Sequence, residues 1–162
     1  NVIFTINSKE DYDNKTFKLQ SIKLVNVTAT ASYIQNPLNP THEGWNGLTL
    51  HDVKFCDTET VFSKDVVIPT ANQSYYIPQT FDNSTKVILK YKIITDNGES
   101  DPSKYAVENV VVEKKLSELF GASWKMGTRY TCAITVSLDE ILWDPAVEDW
   151  TTEDGTVSSD VK

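Results

Sequence analysis

The chain has 162 residues, of which 40% are hydrophobic and 23% charged, with a formal net charge of −8 at pH 7. That length fits one domain or at most two very small ones, and a domain of this size buries roughly 70% of its unfolded surface, so it holds a core without staples. The acidic balance, with no Lys/Arg cluster along the sequence to offset it, works against nucleic acid and anionic lipid as partners, and no apolar run reaches the roughly 18 residues of a membrane-spanning helix.

Val2, Phe4 and Ile6 alternate at the start, and Ser8 to Asn14 turn polar. Residues 1–15 therefore read either as a first strand or as a linker at the end of a preceding domain; a start at Asn1 and not at Met fits a mature or excised fragment. Phe17 to Val27 predicts a strand whose alternation slips around Ser21, as a bulge or bend makes it, with Thr28 to Tyr33 as its extension. Residues 36–47, rich in Asn, Pro and Gly, read as a loop. Leu48 to Phe55 alternates again, and Val66, Val67 and Ile68 stop at Pro69, which suits a strand end or an edge. Ser74 to Thr80 is a short aromatic strand with a proline step.

Lys86 to Thr95 is a strong strand, with Val87, Leu89, Tyr91 and Ile93 on one side. Asp96-Asn97-Gly98 gives a hairpin-type turn signal, and Ala106 to Leu116 is valine-rich. Leu116 to Phe120 is the one plausible helix, about a turn long, with Gly121 as its stop. In the next strand Tyr130, Cys132, Ile134, Val136 and Leu138 take every second position, which predicts one buried face. Seven or eight strands with turn chemistry between them predict an all-β protein, an antiparallel β-sandwich spanning residues 16–150 with 151–162 as a C-terminal tail or edge strand.

Material for catalysis is thin. His42 and His51 are the two histidines. His51 shares a face with Val53 and Phe55, which suits a core or edge histidine better than a ligand. Asp139-Glu140 and Glu148-Asp149 are carboxylate pairs of the kind glycoside hydrolysis needs, yet a chain this acidic produces such neighbours by chance. Asp96 to Asp101 is dense in oxygens but lacks the full calcium-loop pattern. Cys132 reads as a buried thiol, with a disulfide to Cys56 left open. Four Asn-x-Ser/Thr sequons, at Asn14, Asn26, Asn72 and Asn83, barely exceed chance in a chain rich in these residues. The expectation is a protein that is not an enzyme and uses neither cofactor nor metal. Trp45, set among Gly, Asn and Pro, is the aromatic best placed for contact with a glycan or a host protein.

Three segments carry a family resemblance. Trp124, Gly127-Thr-Arg-Tyr130, Ile141-Leu-Trp143 and Ala146-Val-Glu-Asp-Trp150 form the sharpest. Leu19 to Val27, and Tyr76-Ile-Pro-Gln-Thr80 followed by Val87 to Ile93, are the other two. Together they resemble the C-terminal domain of the fimbrillin-like proteins, the type V pilins and related surface proteins of Bacteroidetes. The resemblance implies a transthyretin-like Greek-key sandwich, one of two in tandem, in a pilus subunit at the cell surface, outer membrane or fimbrium. It implies other pilus subunits of the same family as partners, and a membrane link only through an upstream lipid anchor. It also implies polymerisation by strand exchange, with the C-terminal end as donor. Here that end is Thr151 to Lys162, whose apolar points are Val157 and Val161.

Overall fold

The computed structural model describes residues 1–34, 44–54, 59–69 and 76–149. Seven strands have seven residues or more: β1 Val2–Ser8, β2 Lys15–Ile34, β3 Gly44–Lys54, β7 Lys86–Thr95, β8 Ala106–Lys115, β10 Thr128–Val136 and β11 Ile141–Asp149. Four shorter ones, β4 Thr60–Phe62, β5 Ile68–Pro69, β6 Gln79–Thr80 and β9 Ser123–Trp124, fill in around them. The fold is all-β, as the alternating pattern predicts. The helix α1, Leu116–Phe120, lies where the sequence places it, and Gly121 ends it at a φ of 77°, a backbone region open to glycine.

Two sheets enclose the core. One runs β11-β10-β1-β5; the other runs β3-β2-β7-β8, with β4 also on β2. Their inward faces meet in a single cluster that includes Phe4, Ile6, Leu19, Leu24, Leu89 and Ile134, each 1% exposed or less. Burial of this completeness is worth about 1.5–3 kcal/mol per large apolar side chain.

Most pairings are antiparallel, but β1 and β10 are parallel, with Phe4 opposite Cys132 and Ile6 opposite Ile134. Parallel neighbours need a long connection between them, and the whole second sheet supplies it. Of the two readings open for the chain start, Val2–Ser8 takes the strand: its alternate residues are buried between β10 and β5.

The bulge falls where the alternation slips, with a register shift between Leu19 and Ser21 against β7. A second irregularity against β3, between Leu24 and Val27, holds Asn26 at a φ of 55°, a left-handed conformation that asparagine tolerates better than most residues. β7 and β8 pair as a hairpin, but the connection is longer than a tight turn. It runs from Asp96 to Tyr105 through a short 3-10 helix, Pro102–Lys104, and Thr95 pairs with Ala106 across it.

Several expectations fail locally: Val66 and Val67 precede β5 and are not part of it, and of Tyr76 to Thr80 only Gln79 and Thr80 form a strand. β10 ends at Val136, so Leu138 lies in the following turn and is 43% exposed, off the buried face. Trp45 lies on β3 opposite Tyr33, so the loop predicted for residues 36–47 does not extend to it. Pairing with β2 draws it into the sheet, and tertiary pairing of this kind overrides a Gly/Asn-rich local signal.

Candidate functional site

The arrangement with most to offer a partner is a seam along one side of the sandwich, between edge strands β8 and β11. β8 pairs with β7 alone and β11 with β10 alone among the described residues. Each edge therefore presents backbone N–H and C=O groups without a ladder partner.

Register identifies the side chains that face inward there. Val110 and Val112 stand opposite buried Tyr91 and Leu89, while Ile141, Trp143, Pro145 and Val147 stand opposite buried Val136, Ile134, Cys132 and Tyr130. Yet these inward-facing residues are only half covered or exposed: Val110, Val112, Ile141 and Trp143 are intermediate, and Val147 is 53% exposed. An inner face this open marks the place where the sandwich closes incompletely.

Two depressions follow from it. A cleft of about 480 Å³ has Tyr91, Val112, Ile141 and Trp143 in its walls and Glu113, Lys114 and Asp139 among its polar lining. A second, of about 360 Å³, lies among Phe120, Tyr130 and Val147. Helix α1 packs beside β11 with Leu116, Leu119 and Phe120 buried. Lys114 and Glu118 pair at 3.0 Å beside it.

The chemically reactive candidates are occupied with structure. Glu140 pairs with Lys9 at 2.9 Å, and Glu148 approaches Arg129 at 4.0 Å. Asp96 Oδ1 accepts the Gly98 N–H at 2.8 Å, and Asp101 Oδ1 accepts the Ser103 N–H at 3.0 Å. Hydrogen bonds from the Ser103 side chain and backbone hold the Asp101 carboxyl below its usual range. These are turn contacts of the Asx kind, which leave no empty cage of oxygens. No group of three His, Cys, Asp or Glu side chains suited to a metal occurs among the described residues. His51 is exposed on β3, an edge histidine.

Cys132 is a free, buried thiol, and burial pushes its pKa up to about 12. It behaves as a small hydrophobe. Cys56, His42, Val157 and Val161 lie outside the described residues. Trp45 sits on an outermost strand of its sheet. The one sequence signal for the seam is the apolar recurrence of Ile141, Trp143, Pro145 and Val147 at alternate positions of β11.

No known protein-family profile and no curated protein matches the chain. Among solved structures it is similar to a protein from Bacteroides uniformis provisionally described as a cell adhesion protein, at 16% identity and a TM-score of 0.46, over 93% of this chain and 50% of that one. It is also similar to a fimbrial protein from Bacteroides vulgatus, at 15% identity and a TM-score of 0.42, over 93% of this chain and 55% of that one. The chain thus spans about half the length of either structure.

Proposed function

We propose that this chain is a fimbrillin-like surface subunit, joined to other subunits of its class by strand exchange at the β8/β11 seam and serving fimbria assembly and adhesion. The observation that carries this reading is the seam: two edges that have no outer partner among the described residues flank a trough walled by Val112, Ile141 and Trp143 and rimmed by Glu113, Lys114, Asp139 and Glu140. A donated strand would satisfy one edge and set alternate side chains into the trough.

The donor in this reading is residues 151–162 of a neighbouring subunit. Positions i and i+4 of a strand share a face and lie about 13 Å apart, so Val157 and Val161 would enter the trough together. Placement at the cell surface, with attachment through an upstream lipid anchor, belongs to the same proposal. Trp45 is its candidate contact for glycan or host protein, on the opposite edge of its sheet from β8. Trp45→Ala would then remove adhesion and leave assembly intact.

The test is a gel of full-length protein from the cell surface, loaded unboiled beside a boiled sample. Strand-exchanged subunits give a ladder that collapses to monomer on boiling. Val112→Asp, which sets a charge in the trough, removes the ladder while the unfolding transition persists. A ladder indifferent to Val112→Asp counts against the seam.

A further inference from the structure

The fold sorts charge in a way the linear sequence conceals. Lys18 on β2 stands opposite Lys92 on β7, Lys23 opposite Ile88, and Lys86 opposite Lys115, all on the outer face of the five-stranded sheet. Lys90 projects from the same face beside Val111, opposite it on β8. Asp52, Glu59 and Glu113 pair with Lys23, Lys92 and Lys86. Lys18 and Lys90 make no direct ion pair among the described residues, although the Lys18 charge also acts on Glu59, so lysines outnumber carboxylates on this face in a chain of net charge −8.

It also carries apolar side chains where a solvated sheet face is normally polar. Val61 and Val111 are 47% and 58% exposed, and Ile88 and Ile94 are half-buried.

The opposite sign collects at one end of the sandwich. The β1–β2 loop brings Glu10, Asp11 and Asp13; the β7–β8 loop brings Asp96, Glu99 and Asp101; the β10–β11 turn brings Asp139 and Glu140, and the carboxylates outnumber the lysines of the same loops, Lys104 and the Lys9 that pairs with Glu140. These connections share an end, because β1 and β10 run parallel and Lys15 pairs with Thr95. Here too there is a receptacle. A hollow of about 210 Å³ has Tyr12, Phe17 and Phe62 in its wall, with Glu10 and Asp11 beside them and one lysine, Lys15, whose ammonium donates to Thr95 Oγ1 at 3.0 Å. The three rings are in contact, with centroids 5.7 and 5.6 Å apart. Phe17 and Phe62 form the closed floor at 3% and 1% exposure, so Tyr12 is the ring left for a lysine stem to lie against, with its ammonium at Glu10 and Asp11.

We infer that a second copy of this chain docks end to face: the acidic end of one copy on the lysine face of the next, with Lys90 entering the hollow beside Tyr12. The contact joins two different surfaces, which adjoin at Val61, so it is heterologous and repeats head to tail as a ring or an open array. It does not rest on the strand exchange: it needs no segment beyond the two folded surfaces, and it is reversible by salt without boiling.

Sedimentation velocity of the full chain at about 0.02 M and about 0.5 M salt tests it. The wild type associates at low salt and separates at high salt. Lys18→Glu with Lys90→Glu, and separately Glu10→Lys with Glu99→Lys, each weaken association about tenfold or more, since attraction at exposed pairs becomes repulsion. Mixing the two variants restores pairing, because each supplies the surface that the other lost. All of these positions are on the surface, and an unchanged urea midpoint verifies the fold of each variant. A wild type that stays monomeric at low salt, or association indifferent to Lys18→Glu with Lys90→Glu, overturns the inference. Monomer in solution that binds immobilised sulfated polysaccharide through Lys18 and Lys90 overturns it in favour of an anionic glycan.

Discussion

The side-chain amide of Gln79 acts as a strand partner for Thr28: the Thr28 N–H donates to Gln79 Oε1 at 2.7 Å, and Gln79 Nε2 donates to the Thr28 carbonyl at 3.3 Å. The ladder between β2 and β7 has ended at Val25 by this point. One glutamine thus satisfies both backbone groups of a residue that is 5% exposed. The same Nε2 also donates to the Ile77 carbonyl at 3.2 Å, which fixes the amide in this orientation.

Gln79→Ala leaves the Thr28 N–H and carbonyl unsatisfied, and should lower unfolding free energy by about 1–3 kcal/mol. Urea denaturation measures it. Gln79→Glu should fail to rescue at neutral pH, because a carboxylate can accept from the N–H but sets an anion against the carbonyls of Thr28 and Ile77. Protonation restores a donor, so the deficit should shrink in acid.

Gly121 holds a φ of 77° and a ψ of −160°, a region populated almost only by glycine, while the space where a Cβ would stand is open. Gly121→Ala should therefore cost about 1–3 kcal/mol through backbone strain alone. The loss should appear in the urea midpoint with the m-value unchanged. A neutral Gly121→Ala would refute the strain assignment.

Burial raises the Cys132 pKa from 9.0 to about 12. The folded state thus resists ionisation, while the unfolded state loses the proton near pH 9. The unfolded state binds fewer protons in that window, so stability falls as pH rises, at most by about 1.4 kcal/mol per unit, between about pH 9 and pH 12. Tyrosines whose pKa values are also raised, such as Tyr91, add to the slope above their ordinary range. Cys132→Ala isolates the thiol: its stability should decline less steeply over the first part of this window. A thiol reagent at pH 8 should leave native Cys132 untouched and label it after unfolding.

Elements fixed by local signals were legible in the sequence. Lys86–Thr95 and Leu116–Phe120 fall at the predicted bounds, because strict alternation in one and a glycine stop in the other leave little choice. The slip at Ser21 was readable for the same reason, since a bulge interrupts the period of two. What depends on distant partners was not. The parallel pairing of Phe4 with Cys132 joins the two ends of the described chain, and no local pattern encodes it.

Leu138 continues the apolar alternation, yet Ser137 turns the chain before it: the Ser137 N–H donates to the Glu140 carbonyl at 2.9 Å, and Ser137 Oγ accepts the Asp139 and Glu140 N–H groups. The seam and the lysine face stayed hidden because each is made of residues from strands that meet only in the fold.

A donated strand in the β8/β11 seam can be caught by a cross-link between copies. In full-length protein with Cys56→Ser and Cys132→Ala, one copy carries Val157→Cys and a differently tagged copy carries Val112→Cys. A disulfide forms only where Cβ atoms come within about 3.5–4.5 Å. A strand seated in the seam gives mixed-tag dimers under mild oxidation and far fewer with Val107→Cys, whose position on β8 faces outward opposite Ile94. Equal yields at positions 107 and 112, or oligomers present with no cross-link at 112, would contradict it.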